Sequence, residues 1–341
     1  MNLPGGAQAA RYAKITIRIP RFAHRQGVFL DTESGKGGVS VIQRVGIFYN
    51  DQAGHSQSAR LARQFAAKAA KQGIQSAYIT APSVDEAITA VAKAAHRYDA
   101  LVAIGGDGTL NLVATAFLRA KKTVPLGIIP GGTVNNLAHQ LNIPPLPLIA
   151  IDRLVTAMTQ DHTVSIGIGQ CGDHAFVSSL VFGALADISN QVRQQEKRKF
   201  GPIVYLAKGV QLLVTNRSYR IEMIHDGGSE TSRIWTGLVT TTNGVGRVQY
   251  IPDDESDLLH VSLLHHFRWN ETLTYLRYFL SGHFDQMKGV TYFTTEKLRL
   301  VPVNAKHTIR LRLDGDKGPA LPMTIRWRPR YLPVLLPKEG K

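Results

Sequence analysis

Apolar and polar positions follow two different periods along the chain, and the change of period divides it into two parts. From residue 41 to about residue 161, short apolar runs alternate with stretches in which apolar residues recur every three or four positions. Short apolar runs between turn residues predict buried parallel strands, and the wider spacing predicts amphipathic helices. The alternation of strand and helix therefore predicts a parallel sheet that is covered by helices on both faces.

Individual elements of the first part follow from the same pattern. Ser83 is predicted to begin a capping box, because Glu86 stands three positions later at the start of a helical pattern. The predicted strands are 45–49, 74–80 and 101–104, and the predicted helices are 56–71, 83–95 and 148–159.

The second part begins near residue 162, where apolar residues recur at every second position. This period predicts a mainly antiparallel β domain, interrupted by helices at about 203–214 and 271–280. A length of 341 residues also favours two domains, with the substrate expected in the cleft between them. The predicted organisation is an arm of unknown role at 1–40, an α/β domain at 41–161, a β-rich domain at 162–324, and a tail at 325–341 that is able to pack back on the α/β domain.

Composition limits the partners and the compartment. The chain has 40 lysines and arginines against 25 acids, a net charge of +15, which attracts nucleic acids, anionic membranes and phosphorylated ligands alike. Basic and aromatic residues are not interleaved, so the sequence gives nucleic-acid binding no further support. No apolar run approaches the ~20 residues of a membrane span, and no signal segment is visible. Cys171 is the single cysteine, which excludes an internal disulfide and predicts a reducing, cytoplasmic compartment.

The candidate chemistry begins at residues 105–109, Gly-Gly-Asp-Gly-Thr, between a predicted strand and a predicted helix. Glycines at such a junction let backbone amides approach a phosphate, and the helix terminus adds positive potential. Asp107 would repel that phosphate unless it holds a metal ion or accepts a proton, and phosphoryl transfer requires both of these functions. An isolated Gly-Asp-Gly turn is more often a simple connection between two elements.

A second glycine loop strengthens the functional interpretation. Residues 125–136 repeat the design, with an apolar strand, then Gly131-Gly132-Thr133, then Asn135 and Asn136 at the start of a helix. Adjacent parallel strands would bring both loops to one edge of the sheet, where open α/β sheets bind their ligands.

These two loops, a Leu-Val-Phe-Gly-Ala-Leu-Ala-Asp segment at 180–187 and Leu-Asp-Gly-Asp at 313–316 together resemble the diacylglycerol kinase catalytic family. This family contains soluble bacterial lipid kinases and sphingosine kinases, and it is distantly similar to NAD kinases and phosphofructokinases. The resemblance extends from about Val45 to about Leu332. It implies a three-layer α/β parallel-sheet domain that binds the nucleotide, followed by a mainly antiparallel β-sandwich domain that binds the lipid.

The resemblance also implies residue roles. Asp107 matches the acidic centre that handles Mg²⁺ or the proton, Asp316 matches the proposed general base, and Asp187 matches the residue that meets the lipid headgroup. A solvated aspartate at a helix start explains Asp187 equally well. The residues that match ATP-binding positions are Asn50, Gly105, Gly106, Gly108, Thr109, Gly132, Thr133 and Asn135.

Four departures from the family pattern keep alternatives open. Asp51 replaces a proline, Asn136 an aspartate and Asp316 a glutamate. The loop at 252–259 is shorter than in the family, so Asp254 and Asp257 are either ligands of a second Mg²⁺ or, as we prefer, part of a solvated turn. The changes at Asp51, Asn136 and Asp316 favour somewhat a protein that binds nucleotide or lipid without phosphate transfer, whereas the intact Gly-Gly-Asp-Gly-Thr loop counts against it. An NAD kinase-like enzyme fits less well, because its Asn-Glu pair should follow the glycine loop closely, whereas Asn270-Glu271 lies far downstream.

The sequence as a whole predicts a kinase that uses ATP and Mg²⁺. Its expected acceptor is the primary hydroxyl of diacylglycerol or of a similar lipid. The enzyme is expected at an anionic membrane surface, in the cytoplasm and without crossing the bilayer, and a homodimer is left open.

Overall fold

The structure is a computed structural model that describes residues 42–49, 55–191, 218–245, 248–252, 257–304 and 307–338. The predicted arm at 1–40, the predicted helix at 203–214, and the positions Asn50, Asp51 and Asp254 lie outside the described residues.

The first half of the chain alternates strands and helices, as its apolar period predicts. Ser83 caps the second helix, because its Oγ atom accepts a hydrogen bond from the Glu86 amide at 3.3 Å. The elements are β1 (Arg44–Tyr49), α1 (His55–Ala70), β2 (Gln75–Ile79), α2 (Val84–Ala94), β3 (Ala100–Gly105), α3 (Asp107–Ala120), β4 (Leu126–Pro130), α4 (Asn136–Gln140) and α5 (Pro147–Gln160).

Strands β1 to β4 pair in parallel in the order β2-β1-β3-β4, with helices on both faces. On one face, Leu101 and Ala103 of β3 pack in a core with residues of α2 and α3. On the other face, Val102 and Ile104 pack with residues of α1 and α5. A strand that is buried on both faces has no polar side, which explains the continuous apolar run in the sequence.

The second half is mainly antiparallel. Its first part contains β5 (Thr163–Cys171), β6 (His174–Phe176), β7 (Ser179–Gly183), α6 (Ala184–Gln191), β8 (Tyr219–His225), β9 (Gly228–Ile234) and β10 (Thr236–Thr240). It continues with β11 (Gly244–Val245), β12 (Val248–Gln249), β13 (Leu259–Leu264), α7 (Thr272–Leu280), β14 (Val290–Thr295), β15 (Lys297–Pro302), β16 (Arg310–Leu313), β17 (Asp316–Ala320) and β18 (Met323–Leu335).

Six of these strands form a separate sheet in the order β14-β13-β10-β7-β16-β17. Its apolar residues, among them Phe182 and Val261, share a core with Met223, Leu298 and Ile325 of the other sheet. Two antiparallel layers around one core form a sandwich. The predicted fold class, a parallel α/β domain followed by a β-sandwich, is confirmed.

One sheet connects the two halves of the chain. Strand β18 pairs in parallel with β4 at Val334 and antiparallel with β15 and β5, so the first sheet runs β2-β1-β3-β4-β18-β15-β8-β9. Its pairing with β5 is irregular between Arg328 and Leu332, and Arg330 lies in the left-handed region with φ 47°. Such an irregularity bends a strand and increases its twist, so that β18 can serve two differently oriented parts of the sheet. Among the described residues, no helix has the length and apolar character to cross a membrane.

Candidate active site

The first glycine loop joins a buried strand to the start of a long helix. β3 ends at Gly105 and α3 begins at Asp107, with Gly106 in the N-cap position. Gly106, the N-cap residue, has no side chain that could accept a hydrogen bond from the first amides of α3. The first amides of a helix have no partner within the helix, and they form an anion site together with the helix dipole. The first loop therefore has the backbone groups that bind a phosphate.

Thr109 packs back onto the same loop. A Cβ atom on Gly105 would lie only 2.2 Å from the Thr109 Oγ1 atom, so position 105 has no room for a side chain. The Thr109 amide donates a hydrogen bond to the Gly106 carbonyl at 2.9 Å. The glycine at position 105 is thus required by the loop itself.

The second glycine loop touches the first through backbone atoms. β4 lies parallel to β3, with Pro130 opposite Gly105, so both loops leave the same edge of the sheet. The Gly131 amide donates to the Gly105 carbonyl at 2.9 Å, and a Cβ atom on Gly132 would lie 2.6 Å from the Gly106 Cα atom. The predicted meeting of the two loops is confirmed, and it depends on the absence of side chains at the contact.

Asn135 closes the second loop on itself. Its Oδ1 atom accepts a hydrogen bond from the Gly132 amide, and its Nδ2 atom donates to the Gly132 carbonyl, both at 2.9 Å. Asn135 has a φ of 54°, in the left-handed region that asparagine tolerates better than most residues. Thr133, at the tip of the loop, is exposed. The nucleotide contacts predicted for Thr133 and Asn135 stay predictions.

Asp107 connects the two loops. Its Oδ2 atom accepts a hydrogen bond from the Asn136 amide at 2.9 Å, and its Oδ1 atom accepts one from the Leu137 amide at 3.1 Å. Asn136 and Leu137 are the first residues of α4, so the carboxylate caps that helix from a different segment. The sequence predicts metal binding or proton transfer for an acid in this loop. The structure adds a third role for Asp107, the capping of α4. The two predicted roles of Asp107 stay predictions.

A hairpin from the far end of the sequence brings Asp316 to the first loop. Leu313 of β16 pairs with Asp316 of β17 across a two-residue turn, Asp314-Gly315, in which both residues have positive φ (49° and 87°). Asp-Gly is a preferred sequence for this type of turn. A Cβ atom on Gly108 would lie 2.4 Å from the Asp316 Oδ2 atom. The structure thus brings Asp107 and Asp316, the two predicted catalytic residues, to the same loop.

Asp314 holds this hairpin in place, and sequence reasoning missed it. Its Oδ1 atom accepts hydrogen bonds from the amides of Ser178 at 2.8 Å and Ser179 at 2.9 Å. Its Oδ2 atom accepts from the Val177 amide at 2.8 Å and from Asn111 Nδ2 at 3.0 Å. Burial raises the pKa of Asp314 to about 6, although these hydrogen bonds act in the opposite direction. Asp314 is therefore a positioning residue for Asp316.

Asn111 extends the same cluster to the helix that starts at the first loop. It lies one turn after Asp107 in α3, and its Nδ2 atom also donates to the Ala175 carbonyl at 2.7 Å. The start of α3 and the hairpin are therefore held in one arrangement. The Asp-Gly pair between two apolar runs was a signal for the turn, but nothing in the sequence indicates that Asn111 and Asp314 meet.

Asn136 stands where the family resemblance expects an aspartate, and it leaves a buried atom without a partner. Its Oδ1 atom is buried and accepts no hydrogen bond from any described residue. A buried acceptor of this kind is costly, and it calls for an explanation such as a water molecule or an ion. The backbone amide of the same residue donates to the Asp107 carboxylate, so the two residues are in contact.

Two further predicted site residues lie outside the two loops. Asp187 is in α6, where the Tyr219 hydroxyl donates a hydrogen bond to its carboxylate. Burial raises the pKa of Asp257, while Trp327 and Arg330 act in the opposite direction. Within the described ranges, no group of three or more His, Cys, Asp or Glu side chains is arranged to hold a metal ion. The headgroup role of Asp187 and the metal role of Asp257 stay predictions.

Comparison with known proteins agrees with this geometry. Residues 44–171 match the model of the diacylglycerol kinase catalytic domain, and residues 178–336 match that of the YegS C-terminal NAD kinase beta sandwich-like domain. A diacylglycerol kinase of Bacillus subtilis is 28% identical over 87% of this chain and 98% of its own length. A diacylglycerol kinase of Staphylococcus carnosus is also 28% identical, over 88% of this chain and 97% of its own length.

Solved structures show the same fold. The crystal structure of a diacylglycerol kinase from Bacillus anthracis superposes with a TM-score of 0.67 at 15% identity, over 88% of this chain and 98% of that chain. Another structure from the same organism gives a TM-score of 0.70 at 16% identity, over 88% of this chain and 97% of that chain. The chain therefore belongs to the diacylglycerol kinase catalytic domain family, and this membership supports a kinase activity.

Proposed function

We propose that this protein is a lipid kinase that uses ATP and Mg²⁺ to phosphorylate a hydroxyl of diacylglycerol or of a related lipid. The observation that carries the proposal is the position of the Asp316 carboxylate beside Gly108, in a phosphate-type loop at the start of α3. A hydroxyl that attacks a phosphate bound at this loop would meet this acid. The relatives named diacylglycerol kinase support a lipid as the acceptor.

The ATP phosphates are expected at the start of α3 and not at the start of α4. The first amides of α4 already donate to Asp107, whereas the N-cap residue of α3 is Gly106, which has no side chain to cap the helix. The positive end of the α3 dipole also favours an anion there. The residues that we assign to the nucleotide are Gly105, Gly106, Gly108, Thr109, Gly132, Thr133 and Asn135.

The residues present fit Mg²⁺. This ion prefers oxygen ligands, and proteins commonly bind it through one or two carboxylates together with substrate phosphates. The unpartnered Asn136 Oδ1 atom and the Asp107 carboxylate provide such oxygens on two residues that are in contact through the Asn136 amide. We therefore assign Asp107 and Asn136 as the residues that would hold the ion. When bound, Mg²⁺ neutralises charge on the phosphates that are being transferred.

Asp316 is assigned as the proton acceptor. Asp107 already accepts hydrogen bonds from two α4 amides, whereas Asp316 is exposed at the loop. In the reaction, the lipid hydroxyl oxygen forms a bond to the γ-phosphorus, and the bond from that phosphorus to the bridging oxygen of ADP breaks. The hydroxyl proton moves to the Asp316 carboxylate. The Asp316 side chain is shorter than the glutamate that the family has at this position. The Asp314-Gly315 turn brings it to the loop.

A direct assay tests this proposal. The full chain is incubated with radiolabelled ATP, Mg²⁺ and vesicles that contain diacylglycerol, monoacylglycerol, ceramide or sphingosine, and labelled lipid is separated by chromatography. We expect labelled product on at least one lipid, and an Asp316→Asn variant that is about 10²- to 10⁴-fold slower, the usual contribution of a general base. Asp152→Asn is the matched control, because Asp152 is an exposed acid that pairs with Lys68 on the opposite face of the sheet. Equal rates for the two variants would contradict the role of Asp316.

One observation favours a second candidate, a protein that binds nucleotide without transferring phosphate. Asp107 is engaged in capping α4, and the neighbouring Asn136 lacks the charge that the family has at this position. A fluorescent ATP analogue separates the candidates. Binding of the analogue with no labelled product on any lipid supports the second candidate. If NAD is also offered as an acceptor, labelled NADP as the only product would indicate an NAD kinase.

A further inference from the structure

Helix α7 presents an apolar ridge to solvent. Leu273, Leu276 and Leu280 are 81%, 52% and 58% exposed, and their spacing of three and four residues aligns them along one side of the helix. The opposite side packs inward through Tyr275, which is 8% exposed. An amphipathic helix normally buries its apolar side, so a second apolar side marks a surface that binds a partner. We call these three leucines the leucine ridge.

The charged residue within α7 is an arginine. Arg277 is exposed on the same side of the helix, between the ridge positions. α7 contains no acid, and Glu271 just before it is engaged by Arg268 at 3.2 Å and by the Tyr275 hydroxyl at 3.0 Å. A ridge of leucines with a cation among them is complementary to a surface that is apolar inside and anionic outside.

The ridge is connected to the candidate active site through a short series of contacts. Phe279 of α7 stacks on Tyr250, with ring centroids 5.4 Å apart. The Tyr250 amide donates to the Asn243 carbonyl at 3.1 Å, in the segment that begins after β10. In the same segment, Thr242 Oγ1 accepts from Gln140 Nε2 of α4 at 2.7 Å. The helix capped by Asp107 and the ridge therefore flank one loop segment.

We propose that the leucine ridge inserts into the surface of an anionic lipid bilayer and places the active site next to its substrate. This inference rests on the proposed function, in which the acceptor is a bilayer lipid. A second copy of the chain is a poorer occupant, because three leucines provide far less than the ~800 Å² per partner of a stable interface. A two-fold pair that met at the ridge would also bring Arg277 close to its own copy. A bilayer needs no matching protein surface.

Vesicle binding without ATP tests the ridge independently of catalysis. The full chain is sedimented with vesicles of phosphatidylcholine alone and of phosphatidylcholine with phosphatidylglycerol. We expect binding to the anionic vesicles, and about a hundredfold weaker partitioning for the Leu273→Ser/Leu276→Ser double variant, since each leucine contributes about tenfold. Arg277→Gln should weaken binding to anionic vesicles by about fivefold, as expected for one lost cation.

The matched control is Val84→Ser, because Val84 is 64% exposed at the start of α2, in the other half of the molecule. It should bind anionic vesicles as the unchanged protein does, and circular dichroism checks that each variant is folded. Equal vesicle binding by the double variant and the control would overturn the proposal, as would no binding by the unchanged protein. The double variant could instead bind vesicles as the unchanged protein does but no longer self-associate in light scattering. That result would overturn the proposal and show that the ridge is a contact between two copies of the chain. If no lipid is phosphorylated, the proposed function fails but the vesicle result still decides the role of the ridge.

Discussion

The two glycine loops follow the same sequence pattern and touch each other, but their backbone amides are used differently. In the second loop, Asn135 bonds both the amide and the carbonyl of Gly132, and Asp107 caps the helix that follows. In the first loop, the N-cap residue of α3 is Gly106, which has no side chain to cap the helix. The comparison teaches that a glycine-rich turn before a helix binds a phosphate only where its amides are not already bonded. The second loop mainly supports the first.

The largest effect is expected where the loops touch. The Cβ atom introduced by Gly132→Ala would lie 2.6 Å from the Gly106 Cα atom, so the loops must separate. We expect the rate of phosphate transfer to fall by roughly a hundredfold, as displacements of about 1 Å commonly cause. The control is Gly227→Ala, whose Cβ atom would meet only the His225 ring, at 3.0 Å. Steady-state rates measure both variants, and equal rates would show that the contact between the loops is unimportant.

The next effect concerns the cap that connects the loops. Asp107→Ala removes the acceptor of two amides at the start of α4, and we expect the free energy of unfolding to fall by about 2 kcal/mol. Ser83→Ala is the matched variant, because Ser83 accepts one amide at the start of α2 and should cost about 1 kcal/mol. Urea denaturation measures both. A smaller loss for Asp107→Ala than for Ser83→Ala would mean that Asp107 does not stabilise the second loop.

A third effect concerns the hairpin of β16 and β17, which lies next to the first glycine loop. The folded pKa of Asp314, about 6, lies above its ordinary value of 3.8, so the folded state binds the proton more tightly. The protonated Asp314 carboxyl group therefore stabilises the folded state fully at low pH, and this stabilisation is lost as the pH rises through 6. Between pH 5 and pH 7 we expect the free energy of unfolding to fall by roughly 1 kcal/mol relative to Asp314→Asn, which does not titrate. Denaturation of both proteins at each pH measures this difference, and a constant difference would contradict the burial of the carboxyl group.

The smallest effect is expected inside the second loop. Asn135→Gly removes the two hydrogen bonds to Gly132 but keeps access to the left-handed region, so we expect a loss of about 0.5–1 kcal/mol in unfolding free energy. Asn135→Ala should cost about 1 kcal/mol more, because alanine is strained at a φ of 54°. Urea denaturation distinguishes the two variants. Equal losses would indicate that the loop changes its backbone conformation when Asn135 is replaced.

The apolar pattern was sufficient to predict most of the α/β half. β3 is buried on both faces and reads as an uninterrupted apolar run, and the Ser83 cap is a local signal within one helical turn. The meeting of the two loops also followed from the sequence, because parallel neighbours end at one edge of a sheet. Local periodicity and chain direction therefore carry this part of the fold.

The contacts that build the site could not be predicted in the same way. Asn111 and Asp314 meet across most of the chain, and neither residue belongs to a pattern that names its partner. The capping of α4 by Asp107 could not be predicted for the same reason. A capping residue usually precedes its helix directly, whereas Asp107 lies in another loop. The hydrogen bonds of buried polar groups depend on tertiary packing, and sequence periods do not record them.

Strand β18 has a consequence for the way the protein is made. It is the last strand of the described chain, yet it lies between β4 and β15 in the middle of the large sheet. On the ribosome, the edge of β4 stays unpaired until residues 323–335, which form β18, have emerged. The α/β half therefore cannot complete its sheet before β18 has been synthesised, and shortened chains that lack residues 323–335 should expose this edge and aggregate.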